Sequence, residues 1–200
     1  MARKFINFIK LFLVLTMLIF SLQSWTKADD IRDFEIEGIS IGDNALDFFS
    51  EDYLNKAEKF YYPNKKFYEL FTHSSKFKVY DSVTLSFKPN NYTIYGISGA
   101  LDFRSKSFDE CLNKKKDIEK EIEAIFQDSQ KKDHGIYLTP DYTDNKSKRS
   151  QVEYILKGSE EVISVECVNW SEKTEKKQDW GDNLSITLYS KEYEEFARGL

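Results

Sequence analysis

Apolar positions along this chain recur with two periods, and each period marks a kind of element. After Ser107 the steps from Cys111 to Ile118, Ile122 and Ile125 are seven, four and three, which is one face of a helix. Ser107-Phe108-Asp109-Glu110 opens it with a capping box, Ser at the cap and Glu three residues on. Lys114, Lys116, Glu119, Glu121 and Glu123 fill the solvent side, and the helix is expected to end near Gln130. Elsewhere the alternation is by twos. Val79, Asp81, Val83, Leu85 and Phe87 alternate with Tyr80, Ser82, Thr84 and Ser86, a half-buried strand. Lys88-Pro89-Asn90-Asn91 has turn composition, and residues 92–103 return as the partner strand. Gly96 and Gly99 mark a bulge or a close approach in it. A short aromatic strand over residues 66–71 precedes this hairpin. Two more strands flank the Lys157-Gly158-Ser159-Glu160 turn, the second with Ile163, Val165 and Cys167 on one face. A last strand carries Leu184, Ile186 and Leu188.

The remaining stretches are weaker. Residues 31–41 read as an extended lead-in, 45–49 as a short helix, and Ser50 caps another running to about Phe60. Residues 131–150 are polar and read as a long loop, and 190–198 close the chain as a short helix. These elements predict one α+β domain over residues 29–200. Its core is an antiparallel sheet of about five strands, with one long amphipathic helix packed on one face and a short N-terminal helix.

The first 28 residues stand apart. Arg3 and Lys4 precede an apolar run over residues 11–22, broken by Thr16 and Ser21, and Thr26 and Ala28 give the small-x-small pattern of a signal-peptidase cut. The chain is therefore expected to be periplasmic or secreted. The alternative is an uncleaved inner-membrane anchor, since residues 5–25 reach the ~20 needed to span a bilayer. Lys10 inside that run would cost about 2.5–3.5 kcal/mol at the bilayer centre. The whole chain carries a formal charge of −5; removing this segment, with four basic residues and no acid, leaves −9. That balance excludes a nucleic-acid binder driven by phosphate contacts.

Export changes the meaning of the two cysteines. In an oxidising compartment an even pair favours a disulfide. Cys111 lies on the helix stripe and Cys167 on an apolar strand face, so a helix laid across the sheet brings them together. Two buried reduced thiols are the competing reading.

No sequence motif carries catalysis. His73 and His134 have no partner at metal-ligand spacing. The run Asp141-Tyr142-Thr143-Asp144-Asn145 fails as a calcium loop, with Lys146 where Gly is required and Val152 where Glu is required. No cofactor or metal is expected. The surplus is aromatic: Tyr61, Tyr62, Phe67, Tyr68 and Phe71 cluster before the hairpin, and Trp170 and Trp180 flank a charged loop. Rings can fill a core or form a contact surface, and Trp170, Trp180 and Tyr142 are the binding candidates.

The segments IRDFEIEGISIGDNALDFF, YDSVTLSF with YTIYGISGAL, SFDECLNKKKDIEKEI and ISVECVNW resemble small exported proteins of unknown function from marine alphaproteobacteria of the Pelagibacter type. The resemblance implies a Gram-negative envelope location and no particular activity. The sequence thus leads to a non-catalytic binding or interaction module for an envelope protein or a small ligand. The alternative is an envelope enzyme whose site assembles from scattered acids, Asp141 or Asp144 among them, around His134.

Overall fold

Two four-stranded meanders build this chain. The first is β1 (Lys59–Tyr61), β2 (Tyr68–Thr72), β3 (Ser82–Phe87) and β4 (Gly96–Asp102). The second is β5 (Gln130–Leu138), β6 (Lys148–Ile155), β7 (Val162–Asn169) and β8 (Asn183–Tyr189). β4 and β8 pair antiparallel, which joins both in one sheet of order β1-β2-β3-β4-β8-β7-β6-β5. The computed structural model describes residues 30–140 and 143–199. Residues 1–28, expected from their sequence to direct export, lie outside them, and no described helix is long and apolar enough to cross a membrane.

This eight-stranded sheet corrects the expectation of about five strands, and the largest difference is at an edge. β5 occupies part of the stretch read as a polar loop. It pairs with β6 through a bulge between Asp133 and Gly135, and nearly all its side chains are exposed. An edge strand wet on both faces needs no apolar alternation, so periodicity does not reveal it. β1, three residues long at the opposite edge, is silent for the same reason. The N-terminal elements also shrink. Ala45–Asp47 is one 3-10 turn, and α1 (Glu51–Lys56) ends before β1 instead of running to Phe60. The lead-in folds back at Glu37 and Gly38, both at positive φ, in a two-residue turn that bridges Ile36 to Ile39.

The link between the meanders is α2 (Phe108–Ile125). β4 lies in mid-sheet and β5 at the far edge, so the connection must cross β8, β7 and β6. The capping box forms as its sequence predicts: the Glu110 amide donates to Ser107 Oγ at 3.2 Å and the Ser107 amide to the Glu110 carboxylate at 2.7 Å. The helix packs on β7 and β8. Its buried stripe is Cys111, Lys115, Ile118 and Ile122, opposite the buried Ile163, Val165 and Cys167 of β7 and Leu184, Ile186 and Leu188 of β8.

Lys115 stands in this apolar stripe because it is paired. Its Nζ meets Glu119 at 2.8 Å, and Glu119 also takes Lys131 of β5 at 2.8 Å. Lys131 reaches Glu123 at 2.7 Å, and that carboxylate accepts the Tyr154 hydroxyl at 3.2 Å. The chain of charges ties the exposed edge strand to the helix and gives the buried ammonium a partner, without which burial would be costly. Over the first meander, Ile36, Ile39 and Leu54 from the N-terminal segment complete the same core, and Phe34 meets Phe126 just past α2, ring centroids 6.2 Å apart. The opposite sheet face is polar, with Ser98 and Thr187 hydroxyls bonded at 2.8 Å. Part of it is covered by α4 (Lys191–Arg198), whose buried Tyr193 donates to Glu69 at 2.7 Å.

Cys111 and Cys167 form a disulfide with their Cα atoms 6.0 Å apart, which excludes the reduced alternative. The bridge spans 56 residues of sequence, a loop that chain entropy values at about 4 kcal/mol. Replacing both cysteines with alanine is expected to lower the unfolding free energy in urea titration by about that amount. A variant with the native midpoint would contradict this role.

Candidate functional site

The predicted aromatic site is partly assembled. Trp170 and Trp180 lie in contact, ring centroids 4.7 Å apart, and the Arg149 guanidinium sits 5.4 Å from the Trp170 ring. Arg149 pairs with Glu166 at 3.1 Å. Burial raises the Glu166 carboxyl above its usual range, and Arg149 offsets part of that. Asp182 fixes the Trp170 backbone, accepting its amide at 2.7 Å. The charged loop between the tryptophans holds an unpredicted helix, α3 (Glu172–Gln178), capped by Ser171. Tyr142 and Asp141 lie outside the described residues.

His134 sits on the edge strand β5 beside Glu153, 3.1 Å away, and the same carboxylate also meets Arg198 at 3.4 Å and Lys132 at 3.8 Å. Asp144 has different partners: it accepts the Ser171 hydroxyl at 2.7 Å near the start of α3. The structure therefore places His134 and Asp144 in separate bonding networks. Many of the clustered rings before the hairpin are structural. Phe67 packs against Tyr193 and Phe196 of α4, and Tyr62 shares Glu69 with Tyr193.

Sequence reasoning missed the groove along α2. One section, about 180 Å³, lies between the helix residues Ile118, Ile122 and Ile125 and a floor of Leu101, Leu184 and Ile186, with Phe34, Val79 and Tyr80 closing it. The next, about 400 Å³, runs over Leu101 and Phe103 between Asp81, Lys106 and Glu110. Both sections border Leu101 and Lys114, so they lie side by side along α2, the inner one apolar and the outer one lined by charged residues. A concave apolar site with a few polar groups is the usual form of a small-molecule site. Val79 and Ile125 are 64% and 40% exposed at its rim.

Two devices position the outer wall. Glu37, held in its tight turn, accepts the backbone amides of Lys78, Val79 and Tyr80 at 2.8, 2.7 and 2.9 Å. That fixes the loop before β3 at the height of the helix. Gly99 then lets the Tyr80 ring lie on the sheet, since a Cβ there would stand 2.6 Å from the ring. Gly96 serves a similar approach by Ser86 and Tyr193. Both glycines are close approaches rather than bulges, and β4 keeps a regular register. Burial pushes the Tyr80 hydroxyl up to about 12, with Glu37 and Glu121 adding to it.

No protein-family profile and no curated relative matches the chain. Among solved structures, the Saccharomyces cerevisiae Ran-binding protein Mog1p aligns at 12% identity and a TM-score of 0.32, covering 72% of this chain and 82% of that one. A likeness at that level decides neither fold nor partner.

The groove wall has a pH signature. Burial opposes ionisation of Glu37, but its three backbone amides together hold the carboxyl below the usual glutamate range. A lowered folded-state value stabilises the fold above the unfolded value of 4.5, and this stabilisation is lost as pH falls through the folded value. Glu37→Gln should therefore lose about 1 kcal/mol near neutrality. In urea titrations its deficit against the native chain should shrink as pH falls below about 4. A deficit that stays constant down to about pH 3 would contradict the amide cradle.

Proposed function

We propose that this protein is an exported, non-catalytic binding module whose working site is the groove along α2. The observation that carries the reading is an apolar cavity walled by a helix on one side and by a loop pinned through three hydrogen bonds on the other, with a second cavity bordering it at Leu101 and Lys114. A site on rigid elements holds its shape without a ligand, which lowers the cost of binding. Support for export comes from the N-terminal sequence pattern and from the Cys111–Cys167 bridge, since disulfides persist in oxidising compartments.

The enzyme reading has one contact in its favour, the His134 imidazole beside Glu153. That carboxylate is shared with Arg198 and Lys132, an arrangement that ties β5 and β6 to α4. The Trp170–Trp180 pair, with Trp180 38% exposed, offers a second contact surface for a protein partner. The groove supports ligand binding better than either.

Methyl-resolved NMR of the full chain during titration with 1-decanol tests this. Saturable shifts are expected at Leu101, Ile118, Ile122 and Ile186, with small effects at Ile163. Leu101→Trp should abolish them by filling the floor. Ile125→Lys, at an exposed rim position that does not threaten folding, should weaken them. Unsaturable shifts spread over the whole protein, or binding indifferent to both variants, would refute the site.

A further inference from the structure

We propose that a second site, at the β1 end of the sheet, binds a pyranose sugar, its ring against Tyr61 and its hydroxyls bonded to Tyr68, Asn55 and Asn90. The site shares no lining residue with the groove along α2, so the inference stands apart from the reading above.

Strand register builds the floor. Tyr61 lies opposite Tyr68, and Tyr68 lies opposite Phe87. Directly paired residues share a face of the sheet, so the three rings form a row, with centroids 5.3 and 5.5 Å apart and planes 29° and 31° from parallel. The row ends at the sheet edge, where Tyr61 is 54% exposed. α1 and the turn between β3 and β4 wall a cavity of about 260 Å³ over these rings. Tyr92 ties the walls together: its hydroxyl donates to Glu51 of α1 at 3.0 Å, and its carbonyl accepts the Ala45 amide at 2.9 Å. Within the turn, Asn90 takes a positive φ, which asparagine tolerates, and Asn91 accepts the Thr93 amide at 2.7 Å.

The polar groups that face this floor point to a ligand. Tyr68 is only 9% exposed, yet its hydroxyl bonds to no other described residue. Arg149 Nε is the one wholly buried side-chain polar atom without a partner among the described residues, so the Tyr68 oxygen is open to the cavity it lines. Burial raises this hydroxyl above the ordinary tyrosine value, and Tyr61 and Tyr92 nearby add to the rise. The exposed side-chain amides of Asn55 and Asn90 also bond to no other described residue. All three groups are uncharged, and each can both donate and accept. Lys59 is the one charged side chain in the described lining, and it donates to the Asn55 carbonyl at 3.1 Å. A pyranose has the matching form. Its C–H face gains dispersion contact on an aromatic plane, and the hydroxyls around its rim donate and accept. The cavity of about 260 Å³ lies just under the ~300 Å³ at which small-molecule sites begin, which suits one sugar ring. A planar aromatic ligand would leave the polar rim unmatched, and an open-chain polyol has no face to lay on Tyr61.

NMR of the tyrosine rings in the full chain, during titration with the methyl β-pyranosides of glucose, galactose and N-acetylglucosamine, tests this. Saturable shifts are expected at Tyr61 and Tyr68 with at least one of them, at a dissociation constant of about 1 mM, and none at Tyr154. Sorbitol and indole should bind about tenfold more weakly or not at all. Tyr68→Phe keeps the ring, removes the hydroxyl and should weaken sugar binding about tenfold. Tyr61→Ala, at an exposed edge position, should abolish the shift at Tyr68 and leave the urea midpoint unchanged. No saturable shift with any of the three sugars, equal binding of sorbitol, tighter binding of indole, or sugar binding indifferent to both substitutions would overturn the inference. The α2 groove is probed separately by 1-decanol, so its reading survives any of these results.

Discussion

The disulfide that joins the first turn of α2 to β7 is the constraint on which the rest of the structure depends. The two meanders meet along β4 and β8, so the chain between them must cross half the sheet. Cys111 and Cys167 fix where that crossing begins. From there the helix face presented to the sheet is determined, with Ile118 and Ile122 on the core and Ile125 at the rim. A helix free to rotate or slide would lose the register between Lys115, Glu119 and Lys131 that secures the edge strand. It would also change the width of the groove on its other flank.

α2 is thus held differently on its two sides. Toward β5 it is bound by alternating charges, an arrangement whose geometry is specific because each buried group needs its partner. Toward β3 and β4 the wall is a loop fixed by Glu37, and space remains between wall and helix. The buried charges and the open groove are therefore two consequences of one helix placement. The polar sheet face on the far side, covered in part by α4, is shaped by other contacts, chiefly the Tyr62–Glu69–Tyr193 cluster.

How much of this was legible depended on how directly each element buries a periodic face. The capping box at Ser107, the apolar stripe of α2 and the central strands β3, β7 and β8 could be read, and their faces brought Cys111 and Cys167 together. β5 could not, since Lys131, Lys132, Asp133 and His134 are spread over both faces of an exposed edge strand. α3 looks like a charged loop in the sequence because Lys173, Lys176 and Lys177 hide its short amphipathic pattern, although Ser171 is a standard cap. The groove was the least legible feature, for it joins Phe34, Val79, Leu101 and Ile118 across four separate segments. Its one local signal is Gly99, which in the sequence marks either a bulge or a close approach and does not name Tyr80 as the group that approaches.

Where a bound alkyl chain lies can be located directly. Crystals of the full chain grown with 10-bromo-1-decanol would report the tail through the anomalous signal of bromine. The geometry predicts a bromine peak among Phe34, Ile122 and Ile186. A bromine peak beside Trp170 and Trp180, or elsewhere on the polar sheet face, would contradict the groove as the binding site.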